Sequence, residues 1–363
     1  MMNFFLNLIF TAILTTFCLN ASAEDKNNYN VLVLGDIHYD ARDLRVQDPG
    51  KNASYLRNIN AWKKNIPDML QAAADRANKE CAFAIQCGDI TQGDEGSYEF
   101  SVASFNRVLE QVDSRFQIPL HFVRGNHDVR GIGKRKASDE ILAARIAKQN
   151  LNTIEKSAGT TCYKVIGKDL FLFYDSEADS LGTARAILKK HPGMRHIFLV
   201  THLPVVPCLT SHNMYWLCYW QKPAKQEALR KLLAKHNVIV LSAHTHLTAN
   251  FKWDFPEGSI RQFTSYSIAN PNSALRKIET GDTGEFFKLT DAFLAKKDLP
   301  EAIAQKQLLC AQTLPGYRNA KVHFNIYKWA SGFNVLRIKG DEVYMDIHTG
   351  KDYKNPVHTV RLK

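Results

Sequence analysis

Five apolar runs in this chain of 363 residues end in the same small set of polar residues, and that repetition most restricts what the chain can fold into. Tyr29 to Leu34 leads into Gly35-Asp36-Ile37-His38, Ala82 to Cys87 into Gly88-Asp89, and Pro119 to Val123 into Arg124-Gly125-Asn126-His127-Asp128. Arg195 to Val200 leads into Thr201-His202, and Val238 to Ala243 into His244-Thr245-His246. Short apolar runs bounded by turn residues read as buried strands, and in an open α/β sheet ligands bind beyond the carboxyl ends of the strands. A single ending of this kind is ordinary turn chemistry, because Gly-Asn is common in turns. Five endings that all carry Asp, His or Asn are not explained by independent turns.

The spacing within each ending adds to this. An extended chain points residues two apart to one side, so Asp36 and His38 share a side, as do His244 and His246. Asp89 stands alone after its strand, and a carboxylate there can offer one oxygen to each of two ions. Gly125 lets the backbone turn sharply under Asn126 and His127. A mixed set of imidazole, carboxylate and amide donors suits Mn, Fe or Zn better than calcium or a thiolate-preferring metal.

Between these endings the chain reads as strands and helices in alternation. Helices are expected over Asn60–Glu80, kinked at Pro67, and over Ser97–Val112, Ser138–Gln149 and Ala224–His236; Leu70, Ala73, Ala74 and Ala77 fall at helical spacing to pack on a sheet. Further strands are expected around Thr161–Ile166, Leu170–Asp175 and Gln262–Ile268, with Asp175 in a supporting or structural role. Tyr39–Ile59 reads as a long polar loop, and residues 270–320 as a mostly helical insertion broken at Gly281, Gly284 and Pro315-Gly316. Alternating runs from Lys321, Gly332 and Glu342 read as antiparallel strands closing the domain. Two stretches keep two readings each. The basic loop with Arg130, Lys134 and Arg135 is either a phosphate clamp or a solvated surface, and the aromatic stretch 203–220 is either a wall for a ring-bearing group or a loop packed on its own domain.

With 45% hydrophobic residues the chain can bury a large core. A formal charge of +11 favours anionic partners, but the cations are dispersed and form no nucleic-acid motif. Met1 to Ala23 has no charged side chain, carries an apolar run and ends in Ala21-Ser22-Ala23, which reads as a secretory signal cleaved before Glu24, although a basic residue near the start is missing. Residues 24–363 would then form the mature, exported domain, secreted or periplasmic, with no stable membrane anchor. Export permits disulfides. Cys81 and Cys87 are roughly 20 Å apart on one strand at ~3.3 Å per residue and cannot bridge, which leaves Cys208 and Cys218, flanking one loop, as the expected pair.

The ordered set Asp36-x-His38, Gly88-Asp89, Gly125-Asn126-His127-Asp128, Thr201-His202 and Ala243-His244-x-His246 resembles the calcineurin-like metallophosphoesterase superfamily. The resemblance implies an α/β sandwich of two mixed sheets flanked by helices, and a dinuclear site in which Asp36, His38 and His246 hold one divalent ion, Asn126, His202 and His244 hold the second, and Asp89 bridges them. It further implies hydrolysis of a small phosphorylated substrate, monoester or diester, by in-line attack of a metal-bound hydroxide, with His127 protonating the leaving oxygen or stabilising its charge and Asp128 orienting the loop. The chain departs from the family pattern in having Ala243 where glycine is usual and Gln92 where purple acid phosphatases carry a tyrosine ligand. It also has Gln92-Gly93 where the protein Ser/Thr phosphatases carry Asp-Arg. Two rival functions are an exported nuclease, supported by net charge alone, and a metal-dependent binding protein for a phosphorylated ligand, in which His127 would have no task.

Overall fold

Alternation along the strands builds the architecture. In Asn28–Leu34, Val31 and Val33 enter one apolar core while Leu32 and Leu34 enter another. In Asp169–Tyr174, Phe171 and Phe173 share the core of Val31 and Val33, and Leu170 and Leu172 face a third. The shared core lies between two sheets, and the outer two lie between each sheet and its helices. Strands covered on both faces therefore appear in the sequence as unbroken apolar runs. The computed structural model describes residues 26–46, 52–209, 214–215, 223–268, 274–349 and 353–363.

One sheet has six strands in the order His358–Arg361, Glu342–Thr349, Gly332–Lys339, Asn28–Leu34, Cys81–Gln86, Leu120–Phe122. The other has eight, in the order Lys277–Gly281, Lys321–Lys328, Thr248–Phe255, Gly258–Thr264, Ile239–Ser242, His196–Thr201, Asp169–Tyr174, Cys162–Ile166. Both mix parallel and antiparallel pairs, so the α/β sandwich of two mixed sheets is the fold observed. Register decides where the site falls. Leu34 pairs with Gln86 and Gln86 with Phe122 in parallel, and Val200 pairs with Leu241 in parallel, so the loops after these strands leave at one level.

The helix Ile66–Glu80 lays Leu70, Ala73, Ala74 and Ala77 on the six-stranded sheet, as their spacing predicts. Tyr98–Asp113 adds Phe105, Val108 and Val112, and starts at Ser97, whose side chain accepts from Phe100 N at 3.1 Å. Leu181–Lys190 and Pro223–Lys235 cover the other sheet.

Several boundaries differ from expectation. The expected helix Asn60–Glu80 is two helices, Ala53–Lys64 and Ile66–Glu80, separated at Asn65, so the polar loop ends earlier. Pro67 kinks nothing, because it sits in the first turn of the second helix, where a missing N–H has no intrahelical partner to lose. The helix expected from Ser138 begins at Lys134. The strand expected over Gln262–Ile268 is Gly258–Thr264, drawn toward the N-terminus by antiparallel pairing with Thr248–Phe255, a strand the sequence reading missed. The 270–320 insertion is helical over Thr283–Leu294 and Glu301–Thr313 but also supplies the edge strand Lys277–Gly281. Its Phe286 packs edge-on against Trp253, with ring centroids 4.9 Å apart. The last antiparallel strands do not form one closing sheet. Lys321–Lys328 joins the eight-stranded sheet and Gly332–Lys339 the six-stranded one, so Trp329-Ala330-Ser331 carries the chain from one to the other.

Among the described residues no helix is long and apolar enough to cross a membrane, and Met1–Ala23 lies outside them. Cys208 is buried with Sγ 3.7 Å from Thr264 Oγ1, and its expected partner Cys218 lies outside the described residues. From Leu203 to Cys208 the expected aromatic wall begins by entering the core, with Val205 N and Val206 N donating to Gln262 Oε1 at 2.7 and 3.1 Å. Trp216, Tyr219 and Trp220 lie outside the described residues.

Candidate metal centre

The loops that leave the strand ends bring Asp36, His38, Asp89, Asn126, His202, His244 and His246 to one place. Asp36, His38 and His246 have donor atoms within 4.8 Å of one another, and so do Asp89, His202 and His244. Asp89 Oδ2 lies 3.2 Å from His202 Nε2 and 3.7 Å from His38 Nε2, which places one carboxylate between the two groups. Asn126 Oδ1 is 3.0 Å from His202 Nε2, and His244 Nδ1 is 3.1 Å from the same nitrogen. On the other side, His246 Nε2 lies 3.2 Å from Asp36 Oδ2 and 3.1 Å from His38 Nε2.

The backbone is bent sharply to achieve this. His38, Asp89, His244 and His246 have φ of 47, 53, 67 and 49°, in the left-handed region that side chains with a Cβ disfavour. Such conformations persist when surrounding contacts over-determine them, and they gather at functional sites. His38 N donates to Asp89 O at 2.9 Å, and His244 N to Asp36 Oδ1 at 3.2 Å, tying separate loops together. Gly125 is required by close approach, since a Cβ there would overlap Asp89 N and Oδ1. Ala243, in contrast, is buried without distortion, and its N–H donates to His202 O at 3.0 Å.

Asp128 is buried beneath the loop. Its Oδ2 accepts from Gly125 N at 2.9 Å and its Oδ1 from Thr91 N at 3.0 Å, which joins the Asn126-His127 loop to the one after Asp89. Arg124 reaches the other way and sets two nitrogens on Asp175, at 2.6 and 3.3 Å. Asp175 therefore braces the site from outside it.

Protonation states follow from this packing. Burial holds His38 and His244 well below the ordinary histidine range and His246 down to about 4, so all three are neutral imidazoles. Burial opposes the charged form of His202 too, yet Asp89 and Asp36 beside it raise it to about 10. Burial, reinforced by Asp89, pushes Asp36 up to about 8. Burial pushes Asp89 in the same direction, but His202 and His127 hold it well below the usual carboxylate range. His202 Nδ1 lies 2.9 Å from Cys87 O, and because a carbonyl only accepts, the ring donates from Nδ1 and turns Nε2 toward Asp89.

These donors fit divalent cations. Asp36 Oδ2 is buried with no hydrogen-bond partner, and the neutral His38 and His246 rings aim Nε2 at Nε2. A cation satisfies such converging lone pairs, whereas a single shared proton satisfies only one contact. Nitrogen and oxygen donors without thiolate suit Mn, Fe or Zn.

His127 stands beside the cluster, its ring 4.7 Å from that of His38. Its Nδ1 donates to Gln92 O at 2.6 Å, and its Nε2 lies 3.2 Å from Arg130 Nη1. Burial holds it below the ordinary histidine range. The Gln92 side chain accepts a hydrogen bond from Asn58 Nδ2. Sequence reasoning missed Asn58 and Trp62, whose Nε1 donates to His38 O at 3.2 Å. Gln92, three residues after Asp89, and Arg130, in the basic loop, were the neighbours that the sequence pointed to.

The basic loop divides between the two readings made of it. Lys134 is fully buried, with Nζ 2.7 Å from Glu95, and Arg130 Nε pairs with Asp94 at 2.6 Å. Arg130 and Arg135 both keep about half of their side chains exposed, and Arg135 lies 3.8 Å from Glu177.

The calcineurin-like phosphoesterase model matches residues 29–248, more than half of the chain and all of the motifs that form the cluster. The chain belongs to the calcineurin-like phosphoesterase family. Two solved structures share the fold of this phosphoesterase family member. PhoD matches with a TM-score of 0.51 at 11% identity, covering 92% of this chain and 68% of PhoD. The purple acid phosphatase PPD1 from yellow lupin (Lupinus luteus) seeds matches with a TM-score of 0.51 at 9% identity, covering 92% of this chain and 53% of the lupin enzyme. The chain thus spans about half the length of the lupin phosphatase. No curated protein sequence matches it significantly.

Proposed function

We propose that this chain is an exported phosphoester hydrolase that depends on two divalent cations, one held by Asp36, His38 and His246, the other by Asn126, His202 and His244, with Asp89 between them. The position of Asp89 Oδ2, 3.2 Å from His202 Nε2 and 3.7 Å from His38 Nε2, carries the reading, because one carboxylate then serves two donor groups. When bound, two such cations polarise phosphoryl oxygens and make water a strong nucleophile near neutral pH.

The rest of the reaction falls to the protein. Gln92 O fixes the proton of His127 on Nδ1, so Nε2 is the atom that exchanges a proton with the leaving oxygen. At neutral pH this nitrogen is an acceptor facing Arg130, so it must gain a proton before it can protonate a leaving group. Asp128 keeps Asn126 and His127 on one rigid turn, and Arg130, permanently charged, adds a cation where phosphate oxygens would gather.

The test is metal counting together with p-nitrophenyl phosphate and bis-p-nitrophenyl phosphate hydrolysis in added manganese. Turnover of either substrate by a protein carrying about two ions per chain is expected. A protein that binds both ions and cleaves neither ester would be a phosphate-ligand binder instead, and one that binds no ion would end the reading. Export rests on the uncharged apolar run and Ala21-x-Ala23; the mature N-terminus should be Glu24, and an intact Met1 on the exported protein would refute cleavage.

A further inference from the structure

A cavity of about 420 Å³ opens against His246, and no step of the proposed reaction uses it. Its wall is formed where the chain crosses between the two sheets. Trp329, at this crossing, is 54% exposed, although a tryptophan at the surface of a folded domain leaves a large apolar area in water. It is also held at φ 67°, an outlier for so bulky a side chain. An exposed aromatic kept in a disfavoured backbone conformation points to a use for its face.

The charges around it are uneven. Glu279 lies 3.1 Å from Lys328 and 3.3 Å from Lys277, so its charge is matched within the wall. Arg276 sits over the Trp329 ring, 5.6 Å from its centroid, and among the described residues no carboxylate pairs with it. Tyr266 adds a second ring to the lining, and His246, whose side chain is 28% exposed, joins the cavity to the metal cluster.

We infer that this cavity seats the organic group of the phosphoester, and that this group carries a planar heteroaromatic ring, as a nucleotide does, stacked on Trp329 with its acceptor edge toward Arg276. The inference deepens the phosphoesterase reading and rests on it for the placement of the phosphorus at the cluster. Stacking recognises any ring, whereas Arg276 favours rings with electron-rich edges or a further anionic group. Substrates whose alcohol is a simple polyol gain neither contact.

The experiment compares AMP with glycerol 2-phosphate on the full-length, manganese-loaded protein, and follows tryptophan fluorescence as each is added. Wild type should favour AMP in kcat/KM, and Trp329→Ala should lower the AMP to glycerol 2-phosphate ratio by about tenfold, mainly through KM, the range expected for loss of one base–aromatic stack. Trp329→Phe, which keeps a ring, should restore most of the ratio. Arg276→Ala should lower it without touching the ring, which guards against misfolding of the tryptophan variant. Saturable quenching by AMP that is lost in Trp329→Phe would support the site even if neither ester were cleaved; the hydrolase reading would then fail and the binding inference stand. If both esters are cleaved, the ratio stays within twofold in all three variants and AMP produces no Trp329-dependent quench, the inference is overturned while the hydrolase reading survives.

Discussion

His127 illustrates how much of a residue's role is set by what fixes its second nitrogen. A side-chain carboxylate on Nδ1 would raise the basicity of the ring, but here Nδ1 is held by the main-chain carbonyl of Gln92, and burial holds the ring below its ordinary range. We expect His127→Ala to lower kcat by about 10²–10⁴-fold while leaving both metals bound, checked by steady-state kinetics beside metal analysis. Full activity would remove His127 from the chemistry, and loss of metal would make it a ligand. Gln92 carries an amide that accepts from Asn58 and no phenolate, so no tyrosinate-type iron colour is expected from this position.

At the scale of elements, the loop carrying Asn126 and His127 is clamped from two sides. Asp128 ties it to the loop after Asp89, and Arg124 ties it to Asp175 at the end of a strand in the other sheet. Asp175 is fully buried and also accepts from Thr160 N at 2.9 Å and Glu177 N at 2.9 Å. Asp175→Ala would leave the buried Arg124 guanidinium without its inner partner, at a cost of about 3–5 kcal/mol measured by urea unfolding. Arg124 has a second partner in Asp139, whose side chain is 52% exposed. Asp139→Ala should therefore cost at most about 1 kcal/mol, and equal losses in the two variants would refute the brace.

At the scale of the molecule, metal, proton and folding equilibria are linked. Before any cation binds, Asp36 keeps its proton up to about pH 8 and His202 up to about 10, both raised above their unfolded values. A raised folded-state pKa adds stability at low pH that is lost as pH rises, so between about pH 6.5 and 8 these two groups lower the stability of the metal-free chain. The same protons compete with cations, so metal binding strengthens over the same window. The gap in melting temperature between manganese-loaded and EDTA-treated protein should be wider at pH 8 than at pH 6.5, as read by calorimetry. A gap that narrows would contradict the protonation pattern of the cluster.

The fold class and the seven clustered residues were legible because buried strands leave unbroken apolar runs, and the residues just past them share one sheet edge whatever the loops do. Local signals also placed the helix over Ala73 and Ala77 and set Asp175 at a strand end in a supporting or structural role, while its partner Arg124 came only from the fold. The strand Thr248–Phe255 and the change of sheets at Trp329 were not legible, since each depends on a pairing partner far along the chain, whereas the break at Asn65 is local and lies two residues before the Pro67 at which a kink was expected. Lys134 carried no mark of burial either; its site exists only because Glu95 meets it from another loop. Sequence alone determined which donor types arrive at the strand ends, because strand period and turn chemistry are local. Tertiary structure decided which nitrogen of each histidine faces inward, which cations are matched by carboxylates, and which aromatic faces remain open, because those depend on atoms from segments that only folding brings together.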